Sequence, residues 1–555
     1  MYSNKTNVNI LTAVLRQQAM GGYVLCPGSR NAPLVNNFNL IFPSCHAVVD
    51  ERSAAFMALG IAEASGLPAV VCVTSGSALA NTVPAVVEGY YRGLPLIVVS
   101  ADRPQQWIGQ HDGQTMRQDG FFGFYAKTYN LPEVEASQEE RQWYCSRLVN
   151  EAIGEARLHS RPVHINVPIS EPLYEFVVEE LPQVPVVRRY QPSLYDSQAL
   201  EDIAQALGNA MRPMVVVGQL PVGADTSWIA RLANQMPVLK EPLADEGAYP
   251  TDDVLAHIPL DKRETFLPDV VLYVGGELVS KQLKQFLRQS SALQVYRIDP
   301  WGDNLQDTFM HLCAEYRGEA SLLIASLPPI RFRHQAAVDA YRAWWLRSAE
   351  QVRMAASEFQ PVYSSFMAVE RFVQAREADC RIVYANSMPV RLACVHDPRH
   401  VSCNRGVNGI EGSLSTAAGI ALASGRKTYC VVGDLSFLYD HNFLQSRQLD
   451  GKLRILVLNN GGGAIFGKFE GLRGSDARPM VMGCHGYSVE GICQTFDAYY
   501  LSAHNEEELD KGLQLFCRME VSRPMVLEVF TDIDQDNRVF TAYRQAVGKQ
   551  LERNI

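Results

Sequence analysis

Short apolar runs rich in Val and Ile recur along the whole chain, and stretches with helical periodicity separate them. The runs lack the alternation of apolar and polar residues that marks a half-exposed strand, so each predicts a strand buried on both faces. Such strands, separated by helices, are typical of parallel sheets covered by helices. The clearest runs are residues 23–26, 69–73, 96–100, 214–218, 270–274, 293–298, 381–384, 428–432 and 453–458. The sequence therefore predicts an α/β fold with mainly parallel sheets.

The chain is too long for one hydrophobic core, because cores stop growing beyond about 250–300 residues and this chain has 555. Two proline-containing stretches, 181–185 and 327–330, divide it. A polar segment, 188–197, follows the first break, and a helical pattern from 334 to about 358 follows the second. Each resulting block has the usual size of one domain. The three predicted doubly wound domains are residues 1–185, 186–330 and 331–555.

Charge and composition exclude several classes of protein. The net charge is −10, and no run of Lys and Arg offers a local site for nucleic acid. The polar start, residues 1–9, lacks the apolar core of a signal peptide, and no apolar run is long enough to span a membrane. The twelve cysteines include no Cys-x-x-Cys pair. That pattern favours reduced thiols in a cytoplasmic protein over a disulfide or zinc framework.

The strongest chemical signal lies in the third predicted domain, where polar residues follow two successive apolar runs. Residues 433–436 (Gly-Asp-Leu-Ser) follow the first run, and residues 459–463 (Asn-Asn-Gly-Gly-Gly) follow the second. A helical stretch at 441–449 lies between them, so we predict a β-α-β unit whose right-handed crossover brings both strand ends to one edge. Ligands of open parallel sheets bind at this carboxyl edge. Asp434 and Asn460 are therefore expected to meet there.

This pair of segments suits a metal–diphosphate site. Oxygens from Asp434, Asn460 and the Gly462 backbone would leave positions of Mg²⁺ (or Mn²⁺) open for phosphate oxygens and water. Ser436 and the backbone N–H groups at the following helix start could hold the anion. The alternative is two tight turns that need Gly and Asn for their geometry, but the paired arrangement favours the metal site. The pattern resembles the thiamine-diphosphate motif of the decarboxylase and synthase superfamily.

A second half-site is indicated in the first domain. Residues 48–49 are predicted to form a strand and residues 53–65 an alanine-rich helix, which places Glu51 at another carboxyl edge. A carboxyl group there could bind the aminopyrimidine ring of thiamine diphosphate and activate the cofactor. The alternative is an acid that complements the helix dipole. Residues 74–81 follow a further strand, where close approach to a ligand and simple capping by Ser77 explain the small residues equally well.

Six segments in the two outer domains narrow the interpretation. They are 26–34 (Cys-Pro-Gly-Ser-Arg-Asn-Ala-Pro-Leu), 100–104 (Ser-Ala-Asp-Arg-Pro), 386–391 (Asn-Ser-Met-Pro-Val-Arg), 402–412 (Ser-Cys-Asn-Arg-Gly-Val-Asn-Gly-Ile-Glu-Gly), 433–442 and 459–466. In order and content they resemble the 2-succinyl-5-enolpyruvyl-6-hydroxy-3-cyclohexene-1-carboxylate synthase family of thiamine-diphosphate-dependent enzymes. The middle domain resembles that family only weakly.

The resemblance implies a transferase of menaquinone biosynthesis that decarboxylates 2-oxoglutarate and adds the succinyl group to isochorismate. Both substrates carry several negative charges, which bidentate arginine–carboxylate pairing suits. The candidates are Arg30, Arg103, Arg391 and Arg405. For each of them the alternative is a surface or interdomain ion pair. The substrate role is favoured for Arg30, Arg391 and Arg405, and the two interpretations are equal for Arg103.

The resemblance also implies roles for individual residues. Glu51 would activate the cofactor, Ile410 would support its bent conformation, and Asp434, Asn460 and the Gly462 carbonyl would hold Mg²⁺. Further cofactor contacts are expected from Ser387, Leu435, Ser436 and Phe466. Isochorismate is expected to contact Ser29, Arg30 and Gln114, and the 2-oxoglutarate end is expected to contact Arg391 and Arg405. Arg103 and Lys281 are additional substrate candidates, although a solvated helix-face lysine is at least as good an interpretation of Lys281.

Two positions depart from the family, and they bear on the substrates. Gly113 stands where asparagine is common, and Gln282 follows Lys281 where some relatives have arginine.

In this superfamily the two half-sites come from different subunits, so the resemblance implies a homodimer or homotetramer with active sites at the subunit interface. Rival hypotheses are another thiamine enzyme such as an acetolactate synthase, a non-catalytic cofactor-binding scaffold, and a nucleotide-binding regulator.

Overall fold

The computed structural model describes residues 1–187, 197–259, 263–299, 305–467 and 470–552. Its strands are β1 (Tyr2–Ser3), β2 (Gly22–Leu25), β3 (Cys45–Ala47), β4 (Ala69–Val73), β5 (Leu96–Asp102), β6 (Lys127–Asn130), β7 (Val163–Pro168), β8 (Phe176–Val178), β9 (Pro213–Val217), β10 (Val238–Lys240), β11 (Val270–Val274), β12 (Gln294–Asp299), β13 (Leu312–Arg317), β14 (Arg381–Tyr384), β15 (Thr428–Gly433), β16 (Leu453–Asn459), β17 (Tyr499–Ala503) and β18 (Met525–Phe530).

Helices cover the strands. They are α1 (Thr6–Arg16), α2 (Ala32–Ile41), α3 (Glu51–Ser65), α4 (Ser77–Asn81), α5 (Val83–Arg92), α6 (Glu139–His159), α7 (Ser197–Asn209), α8 (Ser227–Ala233), α9 (Thr251–Ala256), α10 (Arg263–Phe266), α11 (Lys281–Arg288), α12 (Ala320–Ala325), α13 (Gln335–Glu358), α14 (Ser365–Ala375), α15 (Met388–His396), α16 (Ser413–Ser424), α17 (Asp434–Asp440), α18 (Glu470–Arg473), α19 (Arg478–Met482), α20 (Glu490–Thr495), α21 (Glu506–Arg518) and α22 (Ile533–Glu552). Short 3₁₀ helices span Gln105–Trp107, Gly123–Tyr125, His441–Gln445 and Ala464–Phe466.

Three parallel sheets organise the chain. Their strand orders are β3-β2-β4-β5-β7-β6, β10-β9-β11-β12-β13 and β14-β15-β16-β18-β17, and a small antiparallel pair joins β1 to β8. One large sheet falls in each predicted block, which confirms an α/β fold with mainly parallel sheets. Central strands such as β4, β9 and β11 are buried along their whole length. The domain boundaries themselves stay predictions.

Some local predictions were wrong. Strand β3 ends at Ala47, before residues 48–49, and Val49 is 61% exposed. The helix after β15 begins at Asp434 instead of near 441, and a 3₁₀ helix takes over at His441. Ser77 does not cap α4, because Gly76 occupies the cap position and no side chain bonds there. Most of the predicted polar segment, 188–196, lies outside the described residues.

Helix α13 connects the second and third sheets. Its Trp345 is fully buried, and the Trp345 carbonyl oxygen accepts a 2.7 Å hydrogen bond from the Tyr249 hydroxyl of the middle block. One hydrophobic cluster runs from strands β9 and β11 through α13 to α22 and the third sheet. The middle block is therefore packed tightly against the third one.

Two glycines allow the first and third blocks to touch through their helix backbones. A Cβ atom on Gly60 of α3 would lie 2.1 Å from the Thr416 carbonyl oxygen of α16. A Cβ atom on Gly419 of α16 would lie 2.0 Å from the Met57 carbonyl oxygen of α3. A side chain at either position would force the two helices apart. Within the described part of the chain, no helix is both long and apolar enough to cross a membrane.

Candidate active site

Asp434 joins the two polar segments of the third sheet. It is the first residue of α17, directly after β15, and it is 3% exposed. Its Oδ2 atom accepts backbone hydrogen bonds from Gly461 and Gly462, both 2.9 Å long, and Oδ1 accepts one of 2.7 Å from Leu435. Burial raises the pKa of Asp434, while these hydrogen bonds and His485 act in the opposite direction. The segments around Asp434 and Asn460 thus meet at the carboxyl edge.

Asn460 follows β16 and is oriented by an acid that the sequence motifs did not reveal. Its Nδ2 atom donates a 2.9 Å hydrogen bond to Oδ2 of Asp536 in α22. Asp536 is buried and also accepts bonds from the Ser365 backbone at 2.8 Å and the Ser365 hydroxyl at 2.6 Å. Because the amide nitrogen is held this way, the amide oxygen of Asn460 remains available to a cation.

His485, which lies in none of the sequence motifs, contacts the Gly461–Gly462 turn. Gly461 and Gly462 have φ values of 81° and 150°, so glycine is favoured at both. The His485 N–H donates a 2.9 Å hydrogen bond to the Gly461 carbonyl oxygen. The ring Nε2 of His485 lies 3.4 Å from Asp434 Oδ2. That nitrogen is buried and makes no hydrogen bond within the described residues, so its described polar neighbour is the Asp434 carboxylate.

The donor set suits a hard cation. No group of three His, Cys, Asp or Glu side chains arranged for a metal occurs in the described ranges. The available ligands are instead one carboxylate, one amide oxygen and one backbone carbonyl, at Asp434, Asn460 and Gly462. Oxygen ligands of this kind, with room for phosphate and water, fit Mg²⁺. The residues therefore fit a Mg²⁺–diphosphate group.

Four other predicted cofactor contacts lie on segments of the third block. Ser436 is buried in the first turn of α17, and Leu435 is half-buried beside Gly483. Phe466 ends a 3₁₀ helix, is partly exposed, and its ring lies over Gly463. Ile410 is exposed on the loop before α16. An exposed apolar residue at such an edge is available to a ligand.

Ser387 sits at a strained strand-to-helix junction. Between β14 and α15 it has φ 74° and ψ −127°, a conformation that residues with a Cβ rarely adopt. Gly76, between β4 and α4 of the first sheet, has nearly the same angles, 73° and −132°. The two sheets thus use the same sharp turn at matching junctions, one with glycine and the other with serine.

Glu51 is the first residue of α3 and faces a cavity. The Asp50 side chain caps the helix by accepting the Arg52 and Ser53 backbone N–H groups at 2.9 and 3.3 Å. Oε2 of Glu51 accepts a 3.0 Å hydrogen bond from Asn81 Nδ2. Glu51 and Asn81 line a cavity of about 530 Å³ together with Tyr439, Asn442 and Gln445. The carboxyl group is therefore at a carboxyl edge and accessible.

Glu51 and Asp434 face opposite ends of the same helix. The Glu51 cavity borders Tyr439 near the end of α17, whereas Asp434 begins that helix. Asp434 and Tyr439 lie five residues apart, which is roughly 8 Å along the helix axis, and no described contact joins Glu51 to Asp434. The described contacts of one chain therefore do not bring the two predicted half-sites together.

Arg30 lies at the carboxyl edge of the first sheet. Its Nη1 donates to the Ile169 carbonyl oxygen at 2.9 Å, and its Nη2 forms a 3.0 Å ion pair with Glu171. The guanidinium is mostly buried, whereas Glu171 and the neighbouring Ser29 are exposed. An ion pair with an exposed carboxylate is weak, so an anionic ligand could compete for Arg30.

Arg103 and Gln114 belong to one loop beside Arg30. Arg103 forms a 3.1 Å ion pair with Asp112 and donates to the Gly113 carbonyl oxygen at 3.2 Å. This is the ion pair that the sequence left as the alternative for Arg103. Gln114 is exposed, has φ 57°, and its carbonyl oxygen accepts a 3.0 Å bond from the Ser75 hydroxyl. The loop is thus fixed while the Gln114 side chain is exposed.

Arg391 and Arg405 place two positive charges close to each other in the third block. Arg405 is 6% exposed, and its Nη1 donates to Asn386 Oδ1 at 3.0 Å. Arg391 donates to the Ser387 carbonyl oxygen at 2.5 Å. Burial and the charge of Arg405 lower the pKa of Arg391. Within the described residues, neither guanidinium forms an ion pair with a carboxylate, and the buried Nε of Arg405 lacks a hydrogen bond.

The middle block also contacts Arg405. Arg405 Nη2 donates to the Leu278 carbonyl oxygen at 3.4 Å. Lys281, three residues later, is exposed and begins α11, whose cap is the Ser280 hydroxyl. Lys281 is therefore on the segment that contacts Arg405, although no described contact joins the two side chains.

Comparison with known proteins identifies two thiamine pyrophosphate enzyme domains in this chain. The family model described as the N-terminal TPP binding domain of thiamine pyrophosphate enzymes matches residues 5–121, and the C-terminal TPP binding domain matches residues 386–529.

Relatives named 2-succinyl-5-enolpyruvyl-6-hydroxy-3-cyclohexene-1-carboxylate synthase match nearly the whole chain. The one from Bacteroides fragilis is 38% identical, covering 98% of this chain and 99% of the relative. The one from Phocaeicola vulgatus is 37% identical over the full length of both, and the one from Desulfotalea psychrophila is 35% identical over 92% and 95%. The chain therefore belongs to the 2-succinyl-5-enolpyruvyl-6-hydroxy-3-cyclohexene-1-carboxylate synthase family of thiamine-diphosphate-dependent enzymes.

Proposed function

We propose that this chain decarboxylates 2-oxoglutarate on thiamine diphosphate and adds the succinyl group to isochorismate, with release of CO₂. The product is the one in the name of its relatives, and the activity is that of a transferase in menaquinone biosynthesis. The metal is Mg²⁺ or Mn²⁺, held by Asp434, Asn460 and the Gly462 carbonyl, and the enzyme acts in the cytoplasm.

The observation that carries the proposal is the pair Arg391 and Arg405. Two largely buried guanidinium groups repel each other, and no described carboxylate pairs with either. Burial removes the water that would screen two such charges, so an anionic ligand that pairs directly with them is favoured. A dicarboxylic 2-oxo acid supplies the negative charge through the carboxylate remote from the reacting carbon. A 2-oxo monocarboxylic acid, as an acetolactate synthase would use, has no second carboxylate that could pair with these two arginines.

The protein residues have separate tasks in the reaction. When bound, thiamine diphosphate supplies the electron sink that allows a 2-oxo acid to lose CO₂. Glu51 would hold a hydrogen bond to the aminopyrimidine ring, and Ser387, Ile410, Leu435, Ser436 and Phe466 would position the cofactor. Arg391 and Arg405 would fix the 2-oxoglutarate end, so that the reacting carbon is oriented before bond cleavage.

Isochorismate would bind at the carboxyl edge of the first sheet. Arg30 gives a buried cation whose ion pair with an exposed carboxylate is replaceable. Ser29 and Gln114 are exposed next to it. Arg103 would orient the loop that carries Gln114, and Lys281 would add charge from the middle domain.

The assembly is inferred from the superfamily, in which the half-sites corresponding to Glu51 and Asp434 come from different subunits. No described contact joins Glu51 to Asp434 within one chain, which supports the same arrangement here. We propose a homodimer as the smallest active unit, and a homotetramer as a pair of such dimers. The domains would be residues 1–185, 186–330 and 331–555.

The test uses purified protein with Mg²⁺ and thiamine diphosphate. We expect CO₂ release and isochorismate loss in equal amounts, each depending on both 2-oxoglutarate and isochorismate. CO₂ release that ignores isochorismate would point to a different thiamine decarboxylase. Binding of ATP or NAD without thiamine diphosphate would favour a nucleotide-binding regulator.

Glu51→Gln separates catalysis from passive cofactor binding. We expect loss of at least 100-fold in kcat, because an amide cannot share a proton with the ring. Glu139→Gln is the matched control, since Glu139 is also the first residue of a helix but is exposed. Full activity of Glu51→Gln would refute the activation role, and an inactive wild type that binds the cofactor would favour the scaffold hypothesis.

A further inference from the structure

Two buried carboxylates outside the third domain accept backbone hydrogen bonds next to Arg405 or to the segment that contacts it. Glu88 belongs to α5 of the first domain, and Glu241 follows β10 of the middle domain. They are 3% and 4% exposed. None of the sequence motifs includes either residue. Buried acids away from the reacting centre call for a physical reason, because removing a charge from water is unfavourable.

Glu88 holds the segment directly after Arg405. Its Oε1 accepts the Gly406 N–H at 2.9 Å, and its Oε2 accepts the Val407 N–H at 2.8 Å. A Cβ on Gly406 would lie 2.8 Å from the Glu88 carbonyl oxygen, so the two segments touch through their backbones. Both oxygens of Glu88 are therefore used to fix the loop that carries Arg405.

Arg92, one turn further along α5, completes this contact. It pairs with Glu63 of α3 at 3.0 Å and with Glu88 at 3.9 Å, and all three side chains are buried. Its Nη1 also donates to Asn404 Oδ1 at 3.1 Å. Helices α3 and α5 thus hold residues 404–407 on both sides of Arg405, which links this loop to the helix that begins at Glu51.

Glu241 makes the same kind of contact from the middle domain. Its Oε2 accepts the Val279 N–H and its Oε1 accepts the Ser280 N–H, both at 2.7 Å. These residues lie between Leu278, whose carbonyl oxygen accepts from Arg405, and Lys281. Glu241 therefore holds the segment that supports Arg405 from the other side.

Both acids also act on Arg405 through charge. The positive charge of Arg405 lowers the pKa of Glu88 and of Glu241, against a larger increase from burial. Each acid is thus kept near Arg405 without forming an ion pair with it. Arg405 already donates to Asn386 and to Leu278, and this arrangement leaves its Nε and the remaining N–H groups available to a ligand, whereas a direct ion pair would occupy them.

We propose that Glu88 and Glu241 are positioning residues that hold Arg405 for the remote carboxylate of the 2-oxo acid, so that this subsite depends on all three domains. The proposal rests on the proposed function for the identity of the ligand. The backbone hydrogen bonds that Glu88 and Glu241 accept do not depend on which ligand binds.

The experiment compares Glu88→Gln and Glu241→Gln with Asp269→Asn in the holoenzyme at about pH 8, because burial raises the pKa of Glu241 to about 7 and only the ionised group makes a charge-assisted hydrogen bond. Asp269 is the matched control, because its oxygens accept two consecutive backbone N–H groups, of Met211 and Arg212, at 2.8 and 2.9 Å, away from the arginines. We expect each glutamate variant to raise the KM for 2-oxoglutarate about 10-fold or more, the effect of one lost charge-assisted hydrogen bond. The KM for isochorismate should stay within about twofold, and Asp269→Asn should change neither value.

Hydrogen exchange without substrates tests the backbone hydrogen bonds of Glu88 and Glu241 directly. In Glu88→Gln the amides of Gly406 and Val407 should exchange faster than in the wild type, and in Glu241→Gln those of Val279 and Ser280 should do so. If Glu88→Gln does not fold, Glu88→Asp keeps the charge but shortens the reach, and the same selective KM increase is expected.

Equal changes in both KM values, or an unchanged KM for 2-oxoglutarate in both glutamate variants, would overturn the positioning role. A wild-type protein that fails to use 2-oxoglutarate would overturn the proposed function instead, and the exchange data would still report whether these backbone hydrogen bonds exist.

Discussion

Replacing Gly419 by alanine tests the contact between α3 and α16. The new Cβ would lie 2.0 Å from the Met57 carbonyl oxygen, and ordinary contact begins at 3.4 Å. The helices must therefore separate by about 1.4 Å, or the backbone must bend by a similar amount. Overpacking of this kind costs about 1–3 kcal/mol, and the size of the clash places Gly419→Ala at the upper end.

A smaller effect acts in the opposite direction. Alanine favours a helix over glycine by about 1 kcal/mol, so the net loss in the free energy of unfolding should be about 2 kcal/mol. For a domain of 150–250 residues this lowers Tm by roughly 4–8 °C. Scanning calorimetry of the full chain measures the shift, with Gly491→Ala as the control because nothing lies within 4 Å of a Cβ there.

The result also has a functional side, since α3 begins at Glu51. A shift of α3 relative to the third domain should weaken thiamine diphosphate binding along with stability. A Tm for Gly419→Ala within 1 °C of the control would refute the reasoning, because it would mean that the helices have slack at this crossing.

Three further predictions follow from the site. Asp536→Asn removes the charged acceptor that orients Asn460, so titration of the protein with thiamine diphosphate and Mg²⁺ should show binding about 10–100-fold weaker; unchanged binding would contradict this orienting role. Burial raises the pKa of Glu241 from 4.5 to about 7, so the folded state holds a proton that the unfolded chain has lost between these pH values. The stability that this proton contributes is full below pH 4.5 and is lost as pH rises through 7, by about 3 kcal/mol at most; urea unfolding should show a smaller decline in Glu241→Gln, and equal declines would be evidence against it. Chains carrying Glu51→Gln and chains carrying Asp434→Asn should each be inactive, yet subunit exchange between them should restore about a quarter of wild-type activity, because half of the dimers then contain one intact site; no recovery despite proven exchange would place both half-sites in one chain.

The fold was predictable from the sequence because the strands of a covered parallel sheet cannot be polar on either face. Residues 69–73, 270–274 and 381–384 coincide with β4, β11 and β14. The helix of the β-α-β unit was placed too late, since a Gly-Asp pair after a strand suggests a loop. In the structure Gly433 is extended and the helix begins at once with Asp434.

The site was predictable only where its residues lie in short motifs. Asp434 and Asn460 follow successive strands, so topology alone brings their segments together. Asp536 lies 76 positions beyond Asn460, and Glu88 lies 318 positions before Gly406. An acid within a helix has the same appearance in a sequence whether it faces water or grips a distant backbone. Contacts of this kind depend on how the domains pack, which no local pattern encodes.

The sharp turn shared by Gly76 and Ser387 has a consequence for protein engineering. Glycine adopts that backbone freely, whereas a residue with a Cβ pays roughly 1–3 kcal/mol for it. Selection for thermal resistance alone would therefore replace Ser387 by glycine early, and the resulting protein would unfold at a higher temperature. It would also lack the hydroxyl at the edge where the cofactor is expected. A library screened only for heat tolerance would thus drift away from activity at this position, and any campaign to stabilise the enzyme should hold Ser387 constant.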